Sequence, residues 1–168
     1  MKSLIPDPVV TPGLSRRAWL GAALMLGVAR TARAASVAAL PSARSLRDEL
    51  AQALKGGGPL VVMVSLDGCP FCKVVREHYL GPMRAEQDLP VVQVDMQSAA
   101  KVQDFKGVVF THEELLQAWK ITLAPTLLFF GRGGAEVAPR LVGIGSADYY
   151  GAYLDQRLEQ ARTAIKSS

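Results

Sequence analysis

Leu60-Val61-Val62-Met63-Val64-Ser65-Leu66-Asp67-Gly68-Cys69-Pro70-Phe71-Cys72 is the stretch that decides how this chain folds. Residues 60–66 form an almost unbroken apolar run rich in β-branched side chains, the pattern of a strand buried on both faces. Asp67-Gly68 breaks the run. A proline then stands at Pro70, where a first helical turn tolerates it because its missing N–H would have no partner there anyway. The stretch therefore predicts a buried strand, a tight turn, and a helix starting near Cys69 and ending about Tyr79, before Gly81-Pro82.

The flanking sequence extends this into an alternating pattern. Upstream, residues 42–55 carry Leu46, Leu50, Ala53 and Leu54 at helical spacing and stop at Gly56-Gly57-Gly58-Pro59. Downstream, residues 89–95 read as a second buried strand and 97–110 as a surface loop. Thr111-His112-Glu113-Glu114 is a capping-box pattern that opens a helix through Trp119-Lys120. Residues 126–130 form a third strand, which Gly131-Arg132-Gly133-Gly134 turns into a fourth, Glu136 to about Gly143, as a hairpin. Ser146 is placed to cap a last helix to about Thr163, with Tyr149, Tyr150, Tyr153, Leu154, Leu158 and Ala161 toward the core. The fold class is α/β. Strands separated by helices imply parallel pairing and the hairpin adds antiparallel strands, giving a central mixed sheet of about four to five strands with helices on both faces.

Composition bounds the function. The chain has 168 residues, 49% hydrophobic and 20% charged, which suits one domain with a real core. The net charge of +4 invites a nucleic-acid reading, but its distribution removes it. Lys2, Arg16, Arg17, Arg30 and Arg33 stand against Asp7 alone within 1–34, and the remainder balances at fourteen basic and fourteen acidic residues. No basic body is left to hold a phosphate backbone.

Residues 1–34 read as an export signal. Ser15-Arg16-Arg17-Ala18-Trp19-Leu20 leads into a 12-residue apolar run, Ala18 to Ala29, and Ala32-Arg33-Ala34 offers small residues for cleavage between Ala34 and Ala35. The run is too short to span a bilayer, which takes about 20 residues. The paired arginines resemble a twin-arginine signal, with Trp19 at its Phe position and Gly21 at its Lys position; a general secretory signal is the alternative. The expected product is a single domain, residues 35–168, periplasmic and not membrane-spanning.

Cys69 and Cys72 are the only cysteines. At i and i+3 they can close a short disulfide, and a helix N-terminus favours an anion through its unpaired N–H groups. Cys69 thus reads as the nucleophilic thiolate and Cys72 as the thiol that resolves a mixed disulfide. Two other readings compete. One is half a metal site, for which only His78 and His112 could add nitrogen ligands; the other is a structural disulfide, which constrains a loop this short only weakly. Asp67 reads as a helix cap, Lys73 as part of a solvated face, and the two histidines as surface or packed residues. Leu123-Ala124-Pro125-Thr126 puts a proline at the start of a strand, where a cis bond is permitted.

Together Cys-Pro-Phe-Cys after a buried strand, Ala-Pro-Thr before a later strand, the hairpin and the closing helix resemble the thioredoxin superfamily over about residues 42–164. The resemblance implies a thioredoxin-like fold and a cis Pro125 beside the cysteine pair. It implies an active-site loop of Gly68, Pro70 and Phe71, and a substrate chain that pairs with the backbone at Ala124 and Pro125. The chain departs from thioredoxin at Gly68, at the Pro-Phe pair, and at Met63, where the cytosolic family has a buried Asp. Disulfide donors of the DsbA kind carry a helical insertion for which the 53 positions from Cys72 to Pro125 leave no room. Small periplasmic thioredoxins of the sulfur-oxidation (Sox) and cytochrome c maturation kinds look closer, and the resemblance to the Sox-associated group includes Gly81-Pro82 and the Gly-rich hairpin.

The implied activity is protein disulfide reduction, with no cofactor beyond the dithiol and no metal. Implied partners are exported clients and a membrane thiol-electron transporter of the DsbD/CcdA kind. A disulfide-donating oxidase and a copper-binding chaperone on the same fold are the alternatives.

Overall fold

The computed structural model describes residues 39–145 and 147–167. The leader with its cleavage site and the Ser146 cap lie outside the described residues.

The apolar run before the cysteine pair forms strand β1, Leu60–Ser65, whose six residues are all buried. Successive side chains of a strand point to opposite faces, so β1 feeds two cores. Val61 and Met63 join a cluster with Cys72, Val75, Leu127, Phe129, Leu154 and Leu158. Leu60, Val62 and Val64 join another with Leu46, Leu50, Leu115, Leu116, Leu128 and Phe130. Helices cover both faces, as expected: α1 (Leu46–Lys55) and α4 (His112–Ala118) on the second, and the helix that starts at Pro70 with α5 (Tyr150–Ser167) on the first.

The sheet is mixed and four-stranded. Its order is β2 (Val91–Asp95), β1, β5 (Thr126–Phe130), β6 (Glu136–Val142). β1 and β2 are parallel. β5 is antiparallel to β1, against the expectation that every helix-separated strand would run parallel. Residues 97–110, read as a loop, hold β3 (Lys101–Gln103) and the start of β4 (Val109–Thr111), a separate antiparallel two-stranded sheet that precedes α4. The connection from β2 brings the chain back to the end of the sheet that it left, since Asp95 and Thr126 pair with neighbouring residues Ser65 and Val64, and β5 therefore enters antiparallel. Strands of three residues are too short to show an alternation in sequence.

Three boundaries and one buried face also differ from the sequence reading. α1 starts later, with Ser45 as its cap. The residues before it instead add a bridge to the edge of β2, where the Ala43 N–H donates to Gln93 O at 2.8 Å and the Gln93 N–H donates to Pro41 O at 2.8 Å. β2 begins at Val91 rather than Leu89. The helix from Pro70 does not stop at Gly81-Pro82 but runs to Gln87: α2 (Pro70–Val74), a π-helical turn (Val75–Leu80) and α3 (Gly81–Gln87). The wider turn, closed by the Gly81 N–H donating to Arg76 O, absorbs a proline that would clash with the preceding carbonyl in a regular helix. Tyr149 and Tyr153, expected in the core, are 64% and 51% exposed; Tyr150, Leu154, Leu158 and Ala161 form the buried stripe instead.

Phe129 is fully buried in the central sheet, so Phe129→Ala should cost roughly 3–5 kcal/mol, read as a fall in the urea midpoint. Tyr150 packs on Tyr79 with ring centroids 5.0 Å apart, and burial, then Tyr79, pushes its phenol well above the ordinary tyrosine range. The unfolded chain ionises this group near its usual value of about 10, while the folded chain keeps it neutral. Its contribution is therefore complete below about pH 10 and is lost as pH rises further. Tyr150→Phe should flatten that alkaline loss, measured as unfolding midpoints at neutral pH and near pH 10.5; an unchanged slope would refute the assignment.

Candidate active site

Cys69 is the N-cap of α2. Its backbone is extended (φ −74°, ψ 113°) and its Sγ accepts the Cys72 N–H at 3.1 Å. This is a cap made by sulfur, and Pro70 follows at the first helical position. Asp67, read as the cap, does not fill that role: its carboxylate folds back to accept the Gly68 N–H at 3.0 Å. Gly68 takes φ +70°, a left-handed turn that glycine enters without strain, and this turns the chain from the end of β1 into the helix.

The two cysteines are disulfide-bonded, with Cα atoms 5.2 Å apart. Their surroundings differ. Cys69 is half-buried, with its sulfur on a backbone N–H. Cys72 is fully buried in the apolar cluster with Val75, Leu80 and Met63. In the reduced state a donated N–H favours the charged form of Cys69, and apolar burial disfavours a charge on Cys72. Met63, where the family resemblance places a carboxylate, is itself fully buried and supplies none.

Pro125 reaches this end of the sheet through register. Val64 pairs with Thr126, so the residue before Thr126 lies beyond the end of β1, where the turn to Cys69 begins. A parallel β5 would have put it roughly 17 Å away, five residues at about 3.4 Å each. The Ala124–Pro125 bond is cis, Pro125 is buried, and Ala124 and Cys69 pack on the same cluster as Cys72. The Pro125 carbonyl accepts the Gly143 N–H at 2.8 Å, and the Thr126 hydroxyl donates to Leu123 O at 2.7 Å. Apolar side chains stand exposed here: Phe71 between the cysteines, Leu123 before the proline, and Val142 opposite Thr126.

The histidines do not join the sulfurs. His78 is exposed on the π turn. His112 is fully buried, its Nδ1 accepting the Asp95 N–H at 3.0 Å and its Nε2 donating to Ala43 O at 3.2 Å. It ties α4, β2 and the segment before α1 together, a packed histidine in the terms of the sequence reading. Its neighbour Thr111 completes the expected capping box with Glu114, and these hydrogen bonds hold the Glu114 carboxyl below its ordinary value.

Sequence reasoning missed a cleft of about 750 Å³ beside Cys69, between the helix that starts at Pro70 and β2, with a lining both polar and apolar. Arg76 donates to Gln93 Oε1 at 2.8 Å, and Gln93 Nε2 donates to Asp95 Oδ1 at 2.6 Å, a chain that links helix to strand. The polar positions at 93 and 95 within an apolar strand were the available signal.

A family model for the thioredoxin-like domain matches residues 46–158. Among solved structures, a thioredoxin-fold protein from Helicobacter pylori aligns at 16% identity, TM-score 0.48, over 67% of this chain and 84% of that one. Thioredoxin O2 from Arabidopsis thaliana aligns at 19% identity, TM-score 0.46, over 70% and 95%. The periplasmic thioredoxin SoxS from Paracoccus pantotrophus aligns at 19% identity, TM-score 0.41, over 61% and 98%. None of the curated proteins matches.

In the reduced Cys72→Ser protein, thiolate absorbance should report a Cys69 that ionises below the free-cysteine value of about 8.5. An ordinary value would mean that the Cys72 N–H does not hold the anion.

Proposed function

The chain belongs to the thioredoxin-like domain family, and we propose that it serves there as a periplasmic thiol–disulfide oxidoreductase that reduces disulfides in exported proteins. The observation that carries the chemistry is the asymmetry of the pair: one capping, half-buried sulfur and one fully buried sulfur, joined across a single turn. The Cys69 thiolate attacks a client disulfide, forming a mixed disulfide and releasing one client thiolate. The Cys72 thiol then loses its proton and attacks the Cys69 sulfur. The Cys69–Cys72 disulfide forms and the second client sulfur leaves as a thiol, so two electrons pass to the client. The dithiol itself carries them, without nucleotide, flavin or metal.

The client docks as an extended segment against the backbone of Ala124 and Pro125, with apolar side chains on Phe71, Leu123 and Val142. Support for this comes from the register that brings Pro125 to the cysteine end and from the exposure of those three side chains. Export rests on the twin-arginine-like leader, and reduction beyond the cytoplasm then requires electrons from a membrane transporter of the DsbD/CcdA kind. Among the described residues no helix is long and apolar enough to cross a membrane.

Insulin reduction with dithiothreitol is the direct test: catalysed precipitation of the free chains is expected. Tight copper(I) binding without turnover would instead establish the chaperone reading. Cys72→Ser should trap mixed disulfides with clients, visible as reductant-sensitive adducts, and Cys69→Ser should not. Equal trapping by both variants would overturn the roles.

A further inference from the structure

Two different surfaces meet at Cys69. The Pro125 side is apolar, with Phe71, Leu123 and Val142 exposed. The other is the 750 Å³ cleft, whose lining mixes apolar surface at Leu66, Pro70 and Met96 with polar and charged groups. Lys73 and Arg76, three residues apart on the active-site helix, stand on one wall. Asp67 in the turn and Asp95 at the end of β2 stand on others, and Cys69 itself is part of the lining. The volume lies within the range of small-molecule sites, roughly 300–1,000 Å³.

The charge arrangement narrows the ligand. Two cations and two carboxylates line one cavity, and no ion pair joins them among the described residues. A net anion or a net cation would meet as much repulsion as attraction. A dipolar ligand with separate carboxylate and ammonium groups meets only complementary charges. Arg76 and Asp95 are held in place by the Gln93 amide that bridges them, so these two charges are positioned before any ligand arrives. A ligand in contact with Cys69 is most useful if it also carries a disulfide.

We propose that this cleft binds a low-molecular-weight zwitterionic disulfide of the amino-acid type, as a second substrate beside protein clients. This inference rests on the dithiol chemistry proposed above. The ligand's carboxylate sits toward Lys73 and Arg76 and its ammonium toward Asp95 and Asp67. The Cys69 thiolate attacks one ligand sulfur, forming a Cys69–ligand mixed disulfide and releasing one thiolate. The Cys72 thiol then attacks Cys69, giving the protein disulfide and releasing a second small thiol that carries the Cys72 proton. The ligand gains two electrons and the protein loses two.

The test is single-turnover oxidation of the reduced protein by cystine, by neutral hydroxyethyl disulfide and by dicationic cystamine, each rate normalised to that disulfide's rate with free dithiothreitol. Cystine should exceed both other probes. Lys73→Gln and, separately, Asp95→Asn should each lower the cystine-to-hydroxyethyl ratio about fivefold, the scale of one partly exposed charge pair. Equal normalised rates for cystine and hydroxyethyl disulfide, a preference for cystamine, or variants that slow both probes alike would overturn the proposal. Insulin reduction in the same preparation separates the two failures. If insulin is reduced and cystine shows no advantage, the cleft reading alone falls; if insulin is untouched, the dithiol reading falls with it.

Discussion

The pairing of Val64 with Thr126 is the constraint on which the site depends. β1 ends one residue later and hands the chain to the turn that carries Cys69; β5 starts at Thr126, with Pro125 just before it. Because the two strands run in opposite directions, the end of one and the beginning of the other share an edge of the sheet. The buried alternation of β1 locks that register. A slip by one residue would move Val61 and Met63 out of one core and into the other, and every β1 side chain would meet the wrong helices. The relation between Cys72 and Pro125, 53 positions apart in sequence, is thus maintained by the packing of the strand between them.

The different surroundings of the two sulfurs follow from where the helix begins. Its N-cap position faces a free backbone N–H, and its third residue faces the core. No additional residue is needed to make the cysteines unlike each other; an i, i+3 spacing across a helix start does so. The turn that follows serves the same end. The π-helical segment lets the helix continue past Pro82, so Leu80 and Gly81 remain buried and the active-site turn is anchored by a helix running to Gln87 rather than by one that ends at Tyr79.

The legible parts of the fold were those with strong local patterns. The apolar run of β1, the heptad-like stripe of α1, the capping box of α4 and the cysteine pair all had signals that local physics produces directly. What the sequence hid depended on relations between elements. The antiparallel entry of β5 rests on its pairing with β1, distant in sequence, and β3 and β4 are too short to show a readable alternation. Pro82 is an ordinary helix terminator by local rules, and only the non-local packing of Leu80 against the sheet makes the wider turn worthwhile. Asp67 had the right residue type for a cap at nearly the right place, but Cys69 stands closer to the helix and its own sulfur takes the N–H. The cleft beside Cys69 needed residues from β1, the helix and β2 at once, and no single window of sequence contains them.

In the proposed exchange, Met63 changes how the second step runs. Cys72 loses its proton in a cluster whose neighbours are Met63, Val75 and Leu80, so the cost of forming a bare thiolate there is high. With no carboxylate at position 63 to take the proton from within, the departing client sulfur is a base that the exchange itself brings to the reaction. Attack by Cys72 and protonation of the leaving sulfur are then best coupled, since coupling avoids the buried charge. A leaving sulfur that takes up the proton as its bond breaks carries less charge in the transition state. Although a less basic thiol ordinarily leaves faster, resolution should consequently depend on the basicity of the departing thiol less steeply here than in expulsion of a bare thiolate, and a series of mixed disulfides on Cys69 with thiols of graded basicity would expose that as a shallow slope of the release rate.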